Sequence, residues 1–541
     1  MEKTDVKIVL IGEGYQHRSF NGANKALPVL ASALNNAGYK NVIQMDFERK
    51  DVTVEGIIKE SRTANLIAFA GVTSPQLNDV DIHVRAIRSY LQNIRRNIPI
   101  IVGGYAAKGI DKDVLEHIPV TAFFDGEGEK GIVQIAQSLE RGTFENEMSN
   151  IEGLCFIDKN GKFYKSTAQR TENFDDIDQN FGLVHIPEKY DMNIFFRNGR
   201  QLKTAQLFTQ RGCPYRCGYC NKSTETSRVV FLGEESLRNQ LEKLKKEGYE
   251  AIYIDVDTFT ISPERAKLEA KLFSQYGFVW GSNTRIDLIN RELIEYFVSN
   301  NCVYMFFGVE HILPEVLLAI GKFNIKCNAV PLKDQLKKAE EYKERVERVF
   351  REMTSAGLPS SYFIILGLPK AILNDDKTKI IDYRPTTLEE DIEAISFGIE
   401  KCNPDYINLN VLRFMPGTLA AEQDPAYFCV KPTKDKPIMA RHFLPKIDRR
   451  PLSINHPVYR LCESVGKYQP ITTAVDPERV YKTIKATLQL INRNIDKGGK
   501  KTVLLTDEEL LKSGLITRNR DGKYSIAPLK EFEWLKMEDF A

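Results

Sequence analysis

Arg211-Gly212-Cys213-Pro214-Tyr215-Arg216-Cys217-Gly218-Tyr219-Cys220-Asn221 sets three cysteines in the spacing C-x3-C-x2-C. Three thiolates this close, on a loop carrying Gly and Pro, can wrap one face of a metal cluster. A cubane iron–sulfur cluster usually takes four cysteine ligands, so three local ones leave an iron open to a substrate or cofactor. A structural zinc site and a chance cluster of thiols are the alternatives. Zinc wants a fourth Cys or His, usually in a second spaced pair, and none follows soon after Cys220.

The loop opens an alternation of strands and helices. Ala205-Gln206-Leu207-Phe208 precedes it, so the cysteines fall at a strand's carboxyl end, where barrel-type α/β folds place their chemistry. Further strands are expected at 251–254, 277–287, 303–311, 362–369 and 407–412, several with polar ends: Asp255-Val256-Asp257-Thr258, Asn283-Thr284-Arg285, and Gly308-Val309-Glu310-His311. A stretch at 327–335 reads as inserted before one helix over 336–355. That helix has Leu336, Ala339, Tyr342, Val346, Val349 and Met353 at helical spacing. A polar insertion at 371–384 contains Asn374-Asp375-Asp376-Lys377.

Upstream, near-continuous apolar runs at 6–11, 42–45, 66–70, 98–102 and 120–124 alternate with helices. That pattern implies a parallel sheet covered on both faces, a doubly wound α/β domain that binds ligands at the carboxyl ends of its strands. Those ends carry Gly71-Val72-Thr73-Ser74-Pro75, Gly103-Gly104-Tyr105 and Gly126-Glu127-Gly128-Glu129. A connector over 142–200 holds a hairpin (154–157 and 163–164 about Asn160-Gly161) and an acidic run at 172–178 that reads as solvated linker. Past residue 425 lies an extended Lys-, Arg- and Pro-rich segment, then helices expected at 458–465, 477–496 and 507–512. The division is thus 1–141, 142–200, 201–425 and 426–541.

A chain of 541 residues exceeds one core. With 27% charged and 42% hydrophobic residues it has the composition of a soluble globular protein. With a net charge of only +2, nothing in the composition argues for a nucleic-acid or membrane surface. No signal peptide or bilayer-length apolar stretch is read. Nine cysteines, an odd number with three on one loop, fit a reducing cytoplasm. Cys155, Cys302, Cys327, Cys402, Cys429 and Cys462 read as small buried hydrophobes.

The cysteine loop, with the aromatic Tyr219 before its third cysteine, resembles that of the radical S-adenosylmethionine (SAM) superfamily, where the open iron of a [4Fe-4S] cluster chelates the methionine end of SAM. With the glycine-bearing strand ends ahead of it, residues 6–420 resemble the cobalamin-dependent radical SAM family, which includes class B methyltransferases. The resemblance implies a Rossmann-like cobalamin domain, a partial (β/α)6 TIM-type barrel and a mainly helical C-terminal region shaping the substrate pocket. It implies Cys213, Cys217 and Cys220 as cluster ligands. It also implies SAM contacts from Tyr219, Asp257, Thr258, Arg285, Glu310 and Gly367. Asp257 and Thr258 could instead cap a helix, and Arg285 and Glu310 could instead form a structural ion pair. Thr73, Ser74, Gly103, Gly104, Tyr105, Gly126, Glu127 and Gly128 are implied to line the cobalamin tail site. The D-x-H-x-x-G motif of many cobalamin domains is absent. The first strand ends in Gly12-Glu13-Gly14-Tyr15-Gln16-His17, and Asp81-Ile82-His83 lies on a helix. No His below cobalt is therefore expected; the loop 73–78 is the expected neighbour of that face, with His17 as the alternative.

The implied activity is methyl transfer from methylcobalamin to an unactivated carbon of a small biosynthetic intermediate, after hydrogen abstraction by the 5′-deoxyadenosyl radical. An electron donor such as flavodoxin or ferredoxin would serve it. Cyclisation or rearrangement without methyl transfer is the alternative within the family, and a non-enzymatic cobalamin or iron–sulfur sensor the alternative outside it. No catalytic residue, substrate or oligomeric state is read from the sequence.

Overall fold

The structure is a computed structural model describing residues 2–13, 24–47, 49, 51–73, 76–110, 112–168, 170–182, 196–197, 200–224, 228–326, 330–412, 418, 477–504 and 516–526. His17, Ser74, Cys327, Cys429 and Cys462, and the segments 414–417, 426–465 and 507–512, lie outside these residues. The rest divides into two compact units. One comprises residues up to Leu207 with 230–249, and the other 208–229 with residues from Glu250 onward.

In the first unit, β1 (Ile8–Gly12), β2 (Val42–Asp46), β3 (Leu66–Ala70), β4 (Ile100–Gly103), β5 (Ala122–Phe124), β6 (Leu154–Ile157) and β7 (Phe163–Tyr164) form one sheet in the order β2-β1-β3-β4-β5-β6-β7. The first five strands run parallel, with Ile8 opposite both Val42 and Leu66. The expected connector hairpin continues this sheet in antiparallel sense, Phe124 facing Leu154. Every residue of β1 and β3 is buried, which is why these strands read as unbroken apolar runs. Helices Ala26–Asn36 and Gly128–Arg141 contribute Leu27, Leu34, Ile132 and Ile135 to the core against the sheet.

The acidic run at 172–178 is not solvated linker. Phe174 is 1% exposed, Asp175 accepts from Gly233 N and Ser236 Oγ, and Asp178 pairs with Lys243. Its two apolar residues, Phe174 and Ile177, are buried, and two of its carboxylates, Asp175 and Asp178, are spent on Gly233 and Lys243 at the start and near the end of the helix Glu234–Lys246. Strand β8 (Thr204–Leu207) ends this unit's main stretch.

In the second unit, β9 (Ala251–Ile254), β10 (Val279–Arg285), β11 (Cys302–Glu310), β12 (Ser360–Leu366), β15 (Tyr406–Val411) and β16 (Val503–Leu504) are neighbours in that order, all parallel. Between β12 and β15 the polar insertion forms an antiparallel hairpin, β13 (Pro369–Leu373) with β14 (Ile380–Pro385). Sequential parallel strands joined by helices are the α/β barrel plan. Fully buried Trp280 anchors its core, with Phe259, Phe273 and Phe297 at ring-centroid distances of 5.2–5.5 Å. Burying each such ring contributes roughly 1.5–3 kcal/mol. The single helix expected over 336–355 is two, Leu332–Glu340 and Tyr342–Ser355, meeting at Glu341. Tyr342, 1% exposed, sends its hydroxyl to Val309 O, and the second helix begins where that side chain is fixed. Helix Pro477–Asp496 has the expected bounds. Cys155, Cys302 and Cys402 are buried free thiols.

Candidate active site

The cysteine loop begins at Gly212, whose φ of +97° is open mainly to glycine, and is tied down by the segment following helix Pro314–Ala319. Gly218 N donates to Ile320 O at 2.8 Å, Arg216 N to Asn324 O at 2.9 Å, and Lys326 N to Pro214 O at 2.8 Å. Lys326 Nζ donates to Cys213 O at 2.8 Å and also to Lys222 O. A 320–326 strap, more than a hundred residues away in sequence, thus holds the loop by its backbone. The cysteine side chains are left for other partners.

Among the described residues no three His, Cys, Asp or Glu side chains converge on a point where one ion could sit. Cys217 is buried, and Cys213 and Cys220 are partly so. Burial pushes the Cys213 thiol up and the Cys220 thiol up to about 12. Metal loading must therefore displace protons from these sulfurs. Tyr219 is raised too, by burial first and then by Glu310.

The expected SAM-contacting residues come from the carboxyl ends of successive strands. After β9, Thr258 Oγ1 lies 3.9 Å from Cys213 Sγ, and Asp257 pairs with Lys222 at 3.6 Å. Thr258 precedes a short turn but its side chain caps nothing. At the end of β10, Arg285 does not pair with Glu310. Its NH2 binds Asp287 Oδ2 at 2.8 Å and Lys322 O at 2.9 Å, and its NH1 reaches Cys217 Sγ at 3.6 Å. Its guanidinium stacks 3.8 Å from the Tyr215 ring centroid. The Asp287 carboxyl is held below its usual range because Arg285 outweighs a burial that by itself would raise it.

At the end of β11, Glu310 has φ +67°, left-handed backbone that costs a non-glycine residue about 1–3 kcal/mol. Its partner is Lys322, 1% exposed, whose Nζ lies 3.5 Å from Glu310 Oε1 and donates to Gly308 O at 2.7 Å. Burial lowers the Lys322 ammonium, and Glu310 partly offsets this. After β12, Gly367 (φ +73°) donates its N–H to Asp391 Oδ2, which also takes Arg479 from helix Pro477–Asp496. Lys322 and Asp287 were not among the expected site residues. A lone Lys in Gly321-Lys322-Phe323 gives no sequence signal, and its role follows only from the strap.

Among the described residues, Arg285 Nε, Asp287 Oδ1 and Glu310 Oε2 are buried without a hydrogen-bond partner, as are Asp391 Oδ1 and His311 Nε2. Unmet donors and acceptors beside three thiols, with a strained carboxylate among them, suit a zwitterionic ligand next to a cluster. The donor set fits both.

In the first unit two of the three glycine-bearing loops are hydrogen-bonded side by side, Val72 N donating to Gly103 O and Ala106 N to Val72 O. Internal packing explains two of the glycines. A Cβ on Gly104 would stand 2.4 Å from Val72 N, and one on Gly126 would stand 2.6 Å from Ala168 O. Thr73 spends its hydroxyl on Gln76 Oε1, Tyr105 starts a short 3-10 turn, and Glu127 pairs with Arg170 and accepts from Thr171 N. Gly128 begins the helix Gly128–Arg141. Beside them Asp125, 4% exposed, keeps Oδ1 without a partner, an acceptor suited to a ligand's donor. At the end of β1, Glu13 (3% exposed) binds His83 Nδ1 at 2.6 Å, and Phe47 stacks on the imidazole. The end of β1, where the D-x-H-x-x-G motif is absent, thus meets an imidazole supplied from helix Leu77–Asn93, seventy residues on.

Residues 207–378 match the Radical SAM superfamily. They form a radical SAM domain. An uncharacterized methyltransferase of Pyrococcus horikoshii is 25% identical over 70% of this chain and 76% of its own. An anaerobic magnesium-protoporphyrin IX monomethyl ester cyclase of Cereibacter sphaeroides is 22% identical, and the match spans 52% of this chain and 46% of the cyclase. Among solved structures, the radical SAM methyltransferase TsrM of Kitasatospora setae superposes with a TM-score of 0.56 at 17% identity, covering 80% of both chains. The cobalamin-dependent SAM radical enzyme OxsB gives a TM-score of 0.55 at 16% identity, covering 74% of this chain and 52% of its own. These likenesses carry the fold across: a radical SAM domain joined to an N-terminal doubly wound unit. Cys213, Cys217 and Cys220 lie within the residues that match the superfamily.

Proposed function

We propose that this chain is a cobalamin-dependent radical SAM methyltransferase acting on an unactivated carbon of a small molecule. The observation that carries this reading is the union of two features in one chain. One is the cysteine loop within the radical SAM domain, ringed by Arg285, Asp287, Glu310 and Lys322. The other is a doubly wound unit whose strand ends present an unmet acceptor, Asp125 Oδ1. The names of the relatives support it: methyltransferases stand among the sequence and structural matches, and TsrM has been seen with cobalamin and a [4Fe-4S] cluster bound.

When bound, the cluster supplies the electron that cleaves SAM, and cobalamin supplies the methyl group. In this reading Cys213, Cys217 and Cys220 hold the cluster, and the 320–326 strap fixes their loop. Glu310 Oε2 accepts from a ligand hydroxyl or ammonium, Thr258 and Asp257 flank Cys213, Tyr219 lies between two ligands, and Gly367 offers close approach at the end of β12. Arg285, bonded to Cys217 Sγ, would act on the cluster through that ligand. Residues 73–74, 103–105 and 126–128 would border the cobalamin tail. The 1–141, 142–200, 201–425 and 426–541 divisions would serve cobalamin binding, connection, radical chemistry and substrate capping. A low-potential one-electron donor of flavodoxin or ferredoxin type would serve it in the cytoplasm. No described helix is long and apolar enough to cross a membrane.

The test is turnover with SAM labelled in its methyl group, with and without cobalamin. Label in product, lost when cobalamin is omitted, supports methyl transfer. Turned-over product without label points to the cyclase-type chemistry of the second group of relatives.

A further inference from the structure

The Arg285 guanidinium spends a charged donor on sulfur. NH1 donates to Cys217 Sγ at 3.6 Å while NH2 is committed to Asp287 Oδ2 and Lys322 O. Sulfur is a weak acceptor, and a guanidinium has many better ones to choose from. The geometry is not loose: Arg285 is 7% and Cys217 8% exposed, and the Tyr215 ring covers the guanidinium face. Tyr215 is itself bridged to Ile325 of the strap, so loop, strap and β10 together hold one N–H against one thiol.

We propose that the Arg285–Asp287 pair sets the reduction potential of the cluster held by Cys213, Cys217 and Cys220, through a charge-assisted N–H···S bond to Cys217. The proposal rests on the radical SAM reading of the loop. Reduction adds one electron from a low-potential donor to the cluster. No bond to the protein forms or breaks, and the guanidinium stays protonated in both states. The added negative charge is shared with the thiolate sulfurs, and hydrogen bonds to those sulfurs are a recognised lever on potential. A buried cation at Cys217 stabilises the reduced state, because charges attract strongly where water is excluded. Asp287, on the same guanidinium, opposes this by offsetting the positive charge. The two residues therefore act with opposite sign, which a purely structural ion pair would not do. Arg285 and Asp287 are positioning residues here, acting through Cys217.

The experiment is EPR-monitored redox potentiometry on the reconstituted full chain, without SAM or cobalamin, with iron and sulfide content measured for each protein. Arg285→Gln is expected to shift the potential more negative, Asp287→Asn less negative, and Arg285→Lys to fall between Arg285→Gln and wild type. Unmoved potentials, or shifts of the same sign in Arg285→Gln and Asp287→Asn, overturn the proposal. If Arg285→Gln takes up no cluster, Asp287→Asn decides: a less negative potential supports it and any other result overturns it. A wild-type chain that takes up no cluster overturns the radical SAM reading and this proposal with it, which is distinct from a loaded cluster whose potential does not move.

Discussion

Glu310 Oε1 stands 2.3 Å from where a Cβ on Gly308 would be, so the carboxylate occupies the space that glycine leaves. Glycine two residues before a strained Glu is thus a packing requirement of the site. Gly308→Ala must push the carboxylate off Lys322. We expect a stability loss of about 1–3 kcal/mol from overpacking. SAM binding, measured by equilibrium dialysis on the reconstituted protein, should weaken at least about tenfold, which corresponds to one lost charge-assisted contact of about 1.4 kcal/mol.

Lys322 and Glu310 bury opposite charges at 3.5 Å. Lys322→Met leaves a buried carboxylate uncompensated and should cost about 3–5 kcal/mol. Adding Glu310→Gln should restore part of that loss. A double-mutant cycle by urea denaturation checks it: additive losses would mean that the two side chains do not interact.

Glu13 and His83 give the first unit a pH signature. Burial, the largest influence, raises the Glu13 carboxyl above its ordinary value. For His83 burial pulls the other way, and the Glu13 hydrogen bond and charge outweigh it, so the imidazole also titrates above 6.5. Both groups bind protons more tightly in the folded state, so stability falls as pH rises through the raised values. The Tm should decline as pH rises above the ordinary value of 4.5 for Glu13 and further above 6.5 for His83, and His83→Gln should flatten the second part of the decline. Wild-type and variant curves of equal slope would refute the assignment.

Asp391, fully buried, joins Gly367 N–H to Arg479 at 2.6 Å. Asp391→Ala removes the acceptor shared by Gly367 N–H and the part-exposed Arg479, which keeps Thr386 Oγ1, and should cost about 1–3 kcal/mol. Hydrogen exchange should quicken in helix Pro477–Asp496 and at the end of β12, and not in the first unit. Uniform quickening would instead mean global destabilisation.

Where a feature is local, it was legible. The apolar runs of β1 and β3, the cysteine spacing and both ends of the helix Pro477–Asp496 follow from neighbours in sequence. What escaped depends on distant partners. Arg285 was expected to contact SAM, with a Glu310 ion pair as the alternative. The ion pair is not formed: Arg285 binds Asp287, Lys322 O and Cys217, and Glu310 pairs with Lys322 of the strap. The run at 172–178 looked solvated because its charges stand out, whereas Phe174 and Ile177 decide its burial. Gly104 and Gly126 looked like ligand contacts, and backbone packing against Val72 and Ala168 already requires glycine there. His83 was set aside as a helix residue, and only the fold brings it to Glu13.

The central claim is that Cys213, Cys217 and Cys220 run reductive cleavage of SAM. Anaerobic reconstitution with iron and sulfide, followed by SAM and a strong one-electron reductant, measures it by 5′-deoxyadenosine formed. The account predicts 5′-deoxyadenosine from the wild-type chain and none when any one of the three cysteines is replaced by alanine. A fully loaded wild-type protein that yields no 5′-deoxyadenosine, or alanine variants that yield as much, would contradict it.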